Sequence, residues 1–282
     1  DKLVADALRR LAAAIGALPA APFSNLNEGG ARMGPLATSL ILLFVVLVTA
    51  TVSGVFGMAG GLMLMGALTL AMPVSAAMVT HGAVQFVSNG WRAVLHRAHI
   101  NWRIIALYGA GSALAAGALA LVTYQPTKAW VYLMLGLTPG LAWIPKDRFN
   151  LDAAKPAHAA LCGLSVTGLN VIAGVSGPLL DVFFVRTALT RHQIVATKAA
   201  TQAFSHTVKM AFYGAPLIGA SQSGLPPWWF FVLAAPLAMA GAWIGGFVLD
   251  RISDVNFLKW TRWIVTALGV VDLAQAAALF AG

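Results

Sequence analysis

Two stretches of this chain set polar and basic side chains at helical spacing within otherwise apolar sequence. In the first, His81, Gln85, Ser88 and Asn89 share one face, with Thr80 immediately before them. In the second, Lys198, Gln202, Ser205, His206 and Lys209 do the same, with Thr197 immediately before. Cations, hydroxyls and amides on one face, without a carboxylate among them, suit a small anion: the cations balance its charge and the rest donate hydrogen bonds. Two acids fall in other apolar stretches. Asp181 is placed to pair with Lys198 or Arg186, and Asp272 lies within the last segment. With His206, these acids are candidates for exchanging a proton during a transport cycle.

The motifs of other chemistries are missing. No glycine-rich loop ends in Gly-Lys-Ser/Thr, so no nucleotide engine is expected, and no His-Glu-x-x-His occurs. His96 and His99 lack a neighbouring carboxylate or cysteine, so neither a metal nor another cofactor is expected. The single cysteine, Cys162, allows no internal disulfide. An intramembrane enzyme using His81 or Asp272 as acid–base would need a nucleophile or metal that the sequence does not offer. A cation- or proton-coupled carrier built on Asp181 and Asp272 is the other alternative.

What must position these side chains is a membrane bundle. Hydrophobic residues make up 59 % of the 282 and charged residues 10 %, too few to cover a soluble fold. The net charge of +9 fits basic loops at a membrane rather than nucleic acid. Ten apolar segments are expected, at 36–56, 60–72, 74–95, 103–123, 129–145, 158–173, 178–189, 192–213, 228–249 and 263–281. A buried lysine costs about 2.5–3.5 kcal/mol near mid-bilayer, so the polar stripes should face the bundle interior. Residues 1–35 read as an amphipathic surface helix followed by a Pro/Gly linker, without a cleavable signal peptide.

The second and seventh segments are too short to span, and each follows a glycine break: Gly57-Met-Ala-Gly60-Gly61 and Gly174-Val-Ser-Gly177-Pro178. Such interrupted segments in corresponding places of two halves point to a transporter's binding site. A shift of 117 residues superposes Gly57 on Gly174, Gly60 on Gly177, Thr80 on Thr197, Gln85 on Gln202 and Ser88 on Ser205, among eight identities in 33 positions. The expected architecture is therefore an all-α polytopic membrane protein of two repeats, 36–145 and 158–282, joined by a loop at 146–157. Counting Lys and Arg in the loops favours ten crossings with both termini outside. Five crossings per half make the halves inverted relative to each other. That inversion brings His81 and Lys198 toward mid-membrane. It also leaves the first amides of the short helices, near Gly60, Gly61 and Gly177, to cap an anion between them.

Phe56-Gly-Met-Ala-Gly-Gly61, followed by Ala77-Met-Val-Thr80, resembles the glycine-rich signature of the TauE/SafE sulfite exporter family. The second half repeats it as Ala173-Gly-Val-Ser-Gly-Pro178 and Val195-Ala-Thr-Lys-Ala199, and the loop from Arg92 to Asn101-Trp102-Arg103 is also similar. The resemblance covers about residues 40–280. It implies a secondary transporter of the bacterial inner membrane, not an enzyme, exporting sulfite, a sulfonate or a related sulfur compound. Its partners would be that small anion and membrane lipid, with a homo-oligomer as a further option. Ala59 and Ser176 stand where the family usually has glycine, and Gly66 and Phe183 where it often has proline.

Overall fold

The computed structural model describes residues 34–122, 124–144, 150–218, 224–249, 251 and 254–282. The expected surface helix and linker at 1–35 lie outside these residues apart from Gly34 and Pro35, as do positions 146–149 at the start of the loop between the repeats. Among the described residues are ten α-helices and no strand. In chain order they are α1 (Pro35–Phe56), α2 (Met58–Ala71), α3 (Val74–Leu95), α4 (Trp102–Ala120), α5 (Lys128–Leu137), α6 (Pro156–Ala173), α7 (Gly177–Phe184), α8 (Arg191–Gly214), α9 (Trp228–Leu249) and α10 (Asp254–Ala281).

Five of them, α1, α4, α6, α9 and the 260–281 stretch of α10, are long and apolar enough to cross a membrane. Their outward faces carry large apolar side chains such as Phe44, Leu114, Trp228, Trp243 and Phe247, all more than half exposed. So much bare apolar surface fits lipid and not water. Helices α3 and α8, at 22 and 24 residues, have the length of a span but keep their polar stripes inside. They pack along each other at the centre.

The two breaks have a common physical cause. Helix α1 stops at Gly57, whose φ of +64° is a conformation that a side chain opposes, and α2 begins at the next residue. The Gly57 N–H still bonds Ser53 O at 2.9 Å, and Ser53 Oγ donates back to Gly57 O at 2.8 Å. Helix α6 ends in the same manner at Gly174, φ +82°, whose N–H bonds Asn170 O at 3.0 Å. After Val175 and Ser176, Pro178 stands in the first turn of α7, where a missing N–H costs nothing. Helix α7 has only eight residues, about 12 Å of rise, and stops at Phe184 rather than running to 189. The fifth segment is likewise interrupted: α5 gives way at Thr138-Pro139 to a 3₁₀ turn through Trp143.

The closest helix pairs join the first five helices to the last five: α1 with α9, α4 with α6, α3 with α8, α5 with α10. Small residues make these approaches. A Cβ at Gly111 of α4 would overlap the Ala160 carbonyl of α6, and one at Gly163 would overlap that of Tyr108. Gly54 of α1 and Gly245 of α9 meet in the same way. Such contacts drive helix association where lipid is as apolar as leucine.

Candidate functional site

Where the two breaks meet α3 and α8 there is a cavity lined by Ser53, Gly57, Met58, Gly61, His81, Gln85, Asn89, Val175, Ser176, Gly177, Gln202 and His206. The space between atoms, including its open mouth, is about 330 Å³. The lining comes from both halves in corresponding positions. The 117-residue shift carries Met58 onto Val175, Gln85 onto Gln202 and Asn89 onto His206, and all six line the cavity. No acid is among the lining residues, whereas amides, two hydroxyls, two imidazoles and the first turns of α2 and α7 are.

Behind this lining runs a hydrogen-bonded chain linking the halves. His81 is wholly buried, with Nε2 3.0 Å from Gly61 O and Nδ1 2.7 Å from Lys209 Nζ. Lys209, also 0 % exposed, donates a second bond at 2.7 Å to Gly174 O, the carbonyl of the second break. A carbonyl can only accept, so His81 Nε2 bears the hydrogen and Nδ1 takes one from Lys209. With Lys209 as ammonium, the pair holds one extra proton and cannot hold two without breaking a bond. The His206 ring stands edge-on to His81 with centroids 5.4 Å apart, and its Nδ1 lies 3.3 Å from Asn170 Nδ2. That amide nitrogen also donates to Ser205 Oγ at 2.8 Å. No carboxylate among the described residues lies within ion-pair distance of Lys209. A buried ammonium so placed needs a counter-anion from elsewhere.

The structure brings His81, Gln85, Gln202, Gly61 and Gly177 to the cavity, with His206 beside them. It does not bring Lys198 there. Lys198 Nζ pairs with Asp181 Oδ1, one of the two partners expected for that acid, and the two side chains are 27 % and 34 % exposed. Thr197 Oγ1 accepts from the Asn101 backbone at 3.0 Å, at the start of α4. Thr80 and Ser88 are buried on α3 outside the lining, and their hydroxyls have no partner among the described residues. Gly60 serves packing, since a Cβ there would overlap Thr49 O on α1. Asp272 lies apart from the cavity, 7 % exposed, with Oδ1 against Gly66 of α2. The sequence places Lys209 on the polar stripe of α8 without assigning it a role in the site, and it does not single out Ser53, Ser176 or Asn170 as site residues. The repeat shift itself carries a signal for them, because it superposes Ser53 on Asn170.

Ten helices among the described residues, five of them long and apolar enough to cross a membrane, around an acid-free polar cavity fit a membrane transport protein. The family model for the sulfite exporter TauE/SafE matches residues 42–271, and the chain belongs to that family. Neither the curated proteins nor the solved structures contain a match.

Proposed function

We propose that this protein exports a small sulfur oxyanion, sulfite or an organosulfonate, across the bacterial inner membrane by alternating access. The observation that carries this reading is the acid-free cavity between the two glycine breaks, backed by the buried, acid-less Lys209. In this mechanism Gln85, Gln202, Ser176 and the first amides of α2 and α7 donate to the anion's oxygens. Lys209 holds the positive charge behind the cavity wall, and the neutral His81 that it bonds stands between it and the cavity. An inverted repeat is supported by the packing: exchanging each helix for its counterpart five places on turns the α1–α9 pair into α6–α4, and the α3–α8 and α5–α10 pairs into themselves. We place both termini in the periplasm. Export of an anion then runs down an inside-negative potential, worth about 2.3 kcal/mol per charge per 100 mV.

The test is uptake of radiolabelled sulfite by proteoliposomes holding the purified protein. Saturable flux above protein-free liposomes, abolished by Lys209→Met, is the expected result. No flux with sulfite or with a sulfonate would remove the anion reading.

One observation favours proton coupling as a second element. Asp272 has no hydrogen-bond partner among the described residues, and it presses on α2, whose first turn lines the cavity. Gain or loss of a proton on this carboxyl would change the charge set against α2. Asp272→Asn should keep sulfite binding and lose any acceleration by an imposed pH gradient. An unchanged response to the gradient would exclude Asp272 as the coupling group.

A further inference from the structure

Helix α3 carries a second cation, partly buried, that the cavity does not use. Arg92 lies on the same face as His81, Gln85 and Ser88, one turn beyond the cavity residue Asn89 and about 16 Å along the helix from His81. Its Nη2 is sealed from solvent, and its guanidinium bonds no described residue and pairs with no described acid. The neighbouring Ser88 hydroxyl is sealed and unpartnered as well. Buried donors of this kind are costly, and a folded protein keeps them where something else supplies the acceptor.

The repeat says what Arg92 corresponds to. The shift that carries Asn89 onto His206 carries Arg92 onto Lys209. The two cations therefore hold equivalent places, each one turn beyond an equivalent cavity residue. Their surroundings differ. Lys209 is bonded to His81 and to the carbonyl of its break. The matching partners of Arg92 are engaged elsewhere: Lys198, counterpart of His81, pairs with Asp181, and Gly57 O, counterpart of Gly174 O, accepts from Ser53. Beyond Arg92 the helix ends at a basic surface with Arg97, Arg103 and Arg191 exposed, which would draw anions toward that end.

We infer that Arg92 is a second anion station, binding the small oxyanion through its guanidinium on the way between the basic end of α3 and the central cavity. A planar fork with no partner among the described residues suits the oxygens of a sulfur oxyanion. The station rests on the transport reading above and deepens it, since it sets the route by which the anion reaches the cavity. It makes Arg92 a residue of entry rate and leaves the affinity of the central site to Lys209 and His81.

The experiment measures initial rates of labelled sulfite flux in proteoliposomes, and equilibrium sulfite binding to the purified full chain, for wild type, Arg92→Gln, Arg92→Lys and Arg92→His. Arg92→Gln should lower the rate on the order of tenfold while binding stays within about threefold, and Arg92→Lys should restore most of the rate. For Arg92→His, the rate relative to wild type should climb as pH is lowered from about 8 to about 6, where imidazole gains its charge. That comparison decides the matter even if Arg92→Gln does not fold, because dividing by wild type cancels the titration of sulfite itself. Wild-type rates in Arg92→Gln, equal loss in the Gln and Lys variants, or a pH-independent ratio for Arg92→His would each overturn the station while leaving the transporter standing. Absence of flux in wild type would instead remove the transport reading on which it rests.

Discussion

At the scale of single residues, α8 offers two lysines on one face, and the fold assigns them opposite duties. Lys198, Gln202, Ser205, His206 and Lys209 have the same spacing in sequence, so nothing in the periodicity separates the first from the last. What separates them is an acid on another helix. Asp181 of α7 neutralises Lys198 in a half-open setting, where such a pair contributes little, about 0–1 kcal/mol. Lys209 meets only acceptors, His81 Nδ1 and Gly174 O. Removing a desolvated, hydrogen-bonded charge from a binding site costs about 2–5 kcal/mol, roughly 30-fold or more in affinity. Lys209→Met should therefore weaken equilibrium sulfite binding by at least that factor, whereas Lys198→Ala should stay within about threefold of wild type. Equal losses in the two variants would return Lys198 to the site. Gln85 and Gln202 are legible in the sequence because the 117-residue shift superposes them, and His81 because it stands one turn before Gln85 on the same helix face. It left Lys209 illegible because the partner of a long side chain is settled by tertiary contacts.

At the scale of elements, the glycine breaks were the most readable feature of the chain. Helix α1 ends at Gly57 and α6 at Gly174, which the 117-residue shift superposes, and these are two of the three described residues with positive φ. Glycine is needed there for backbone reasons before any ligand is considered. Forcing a side chain into the left-handed region costs about 1–2 kcal/mol. At Gly174 an added Cβ would also press on Met65 Sδ at 3.0 Å. Gly174→Ala should lower stability by at least that much in a denaturation series on detergent-solubilised protein. Because the Gly174 carbonyl anchors Lys209, the same variant should also slow flux; full stability with full flux would show that the break tolerates a side chain. Segment ends were less readable. Helix α7 stops after eight residues and α5 tightens into a 3₁₀ turn at Thr138-Pro139, and reading each as one apolar segment passes over both events. Hydropathy records what lipid accepts, not where backbone hydrogen bonds stop.

For the whole molecule, the membrane class follows from composition alone, while the orientation rests on the distribution of basic loops. Cysteine substitution tests it: with both termini outside, position 216, in the 3₁₀ turn after α8, should label from outside intact cells and position 148 should not. Labelling only at 148 would reverse the orientation. The bundle's pairing was not legible in the sequence, because a shift of 117 residues matches positions without saying which helix each one touches. The contacts supply that information, and they run mostly between the halves and not within them.

That cross-pairing governs how the chain comes to exist in the membrane. Helix α1 is complete at Phe56, yet its glycine-studded partner α9 begins only at Trp228, 172 residues later. At about 5–20 residues per second of synthesis, α1 must wait roughly ten to thirty seconds for that surface to be covered. During the wait the ribosome has delivered a set of helices whose intended neighbours have not yet been made. Helix α4, by contrast, needs only the first helix of the second half, so α4 and α6 can dock long before translation ends. Assembly would thus begin in the middle of the chain and close at its outer members, with α1 among the last to be seated.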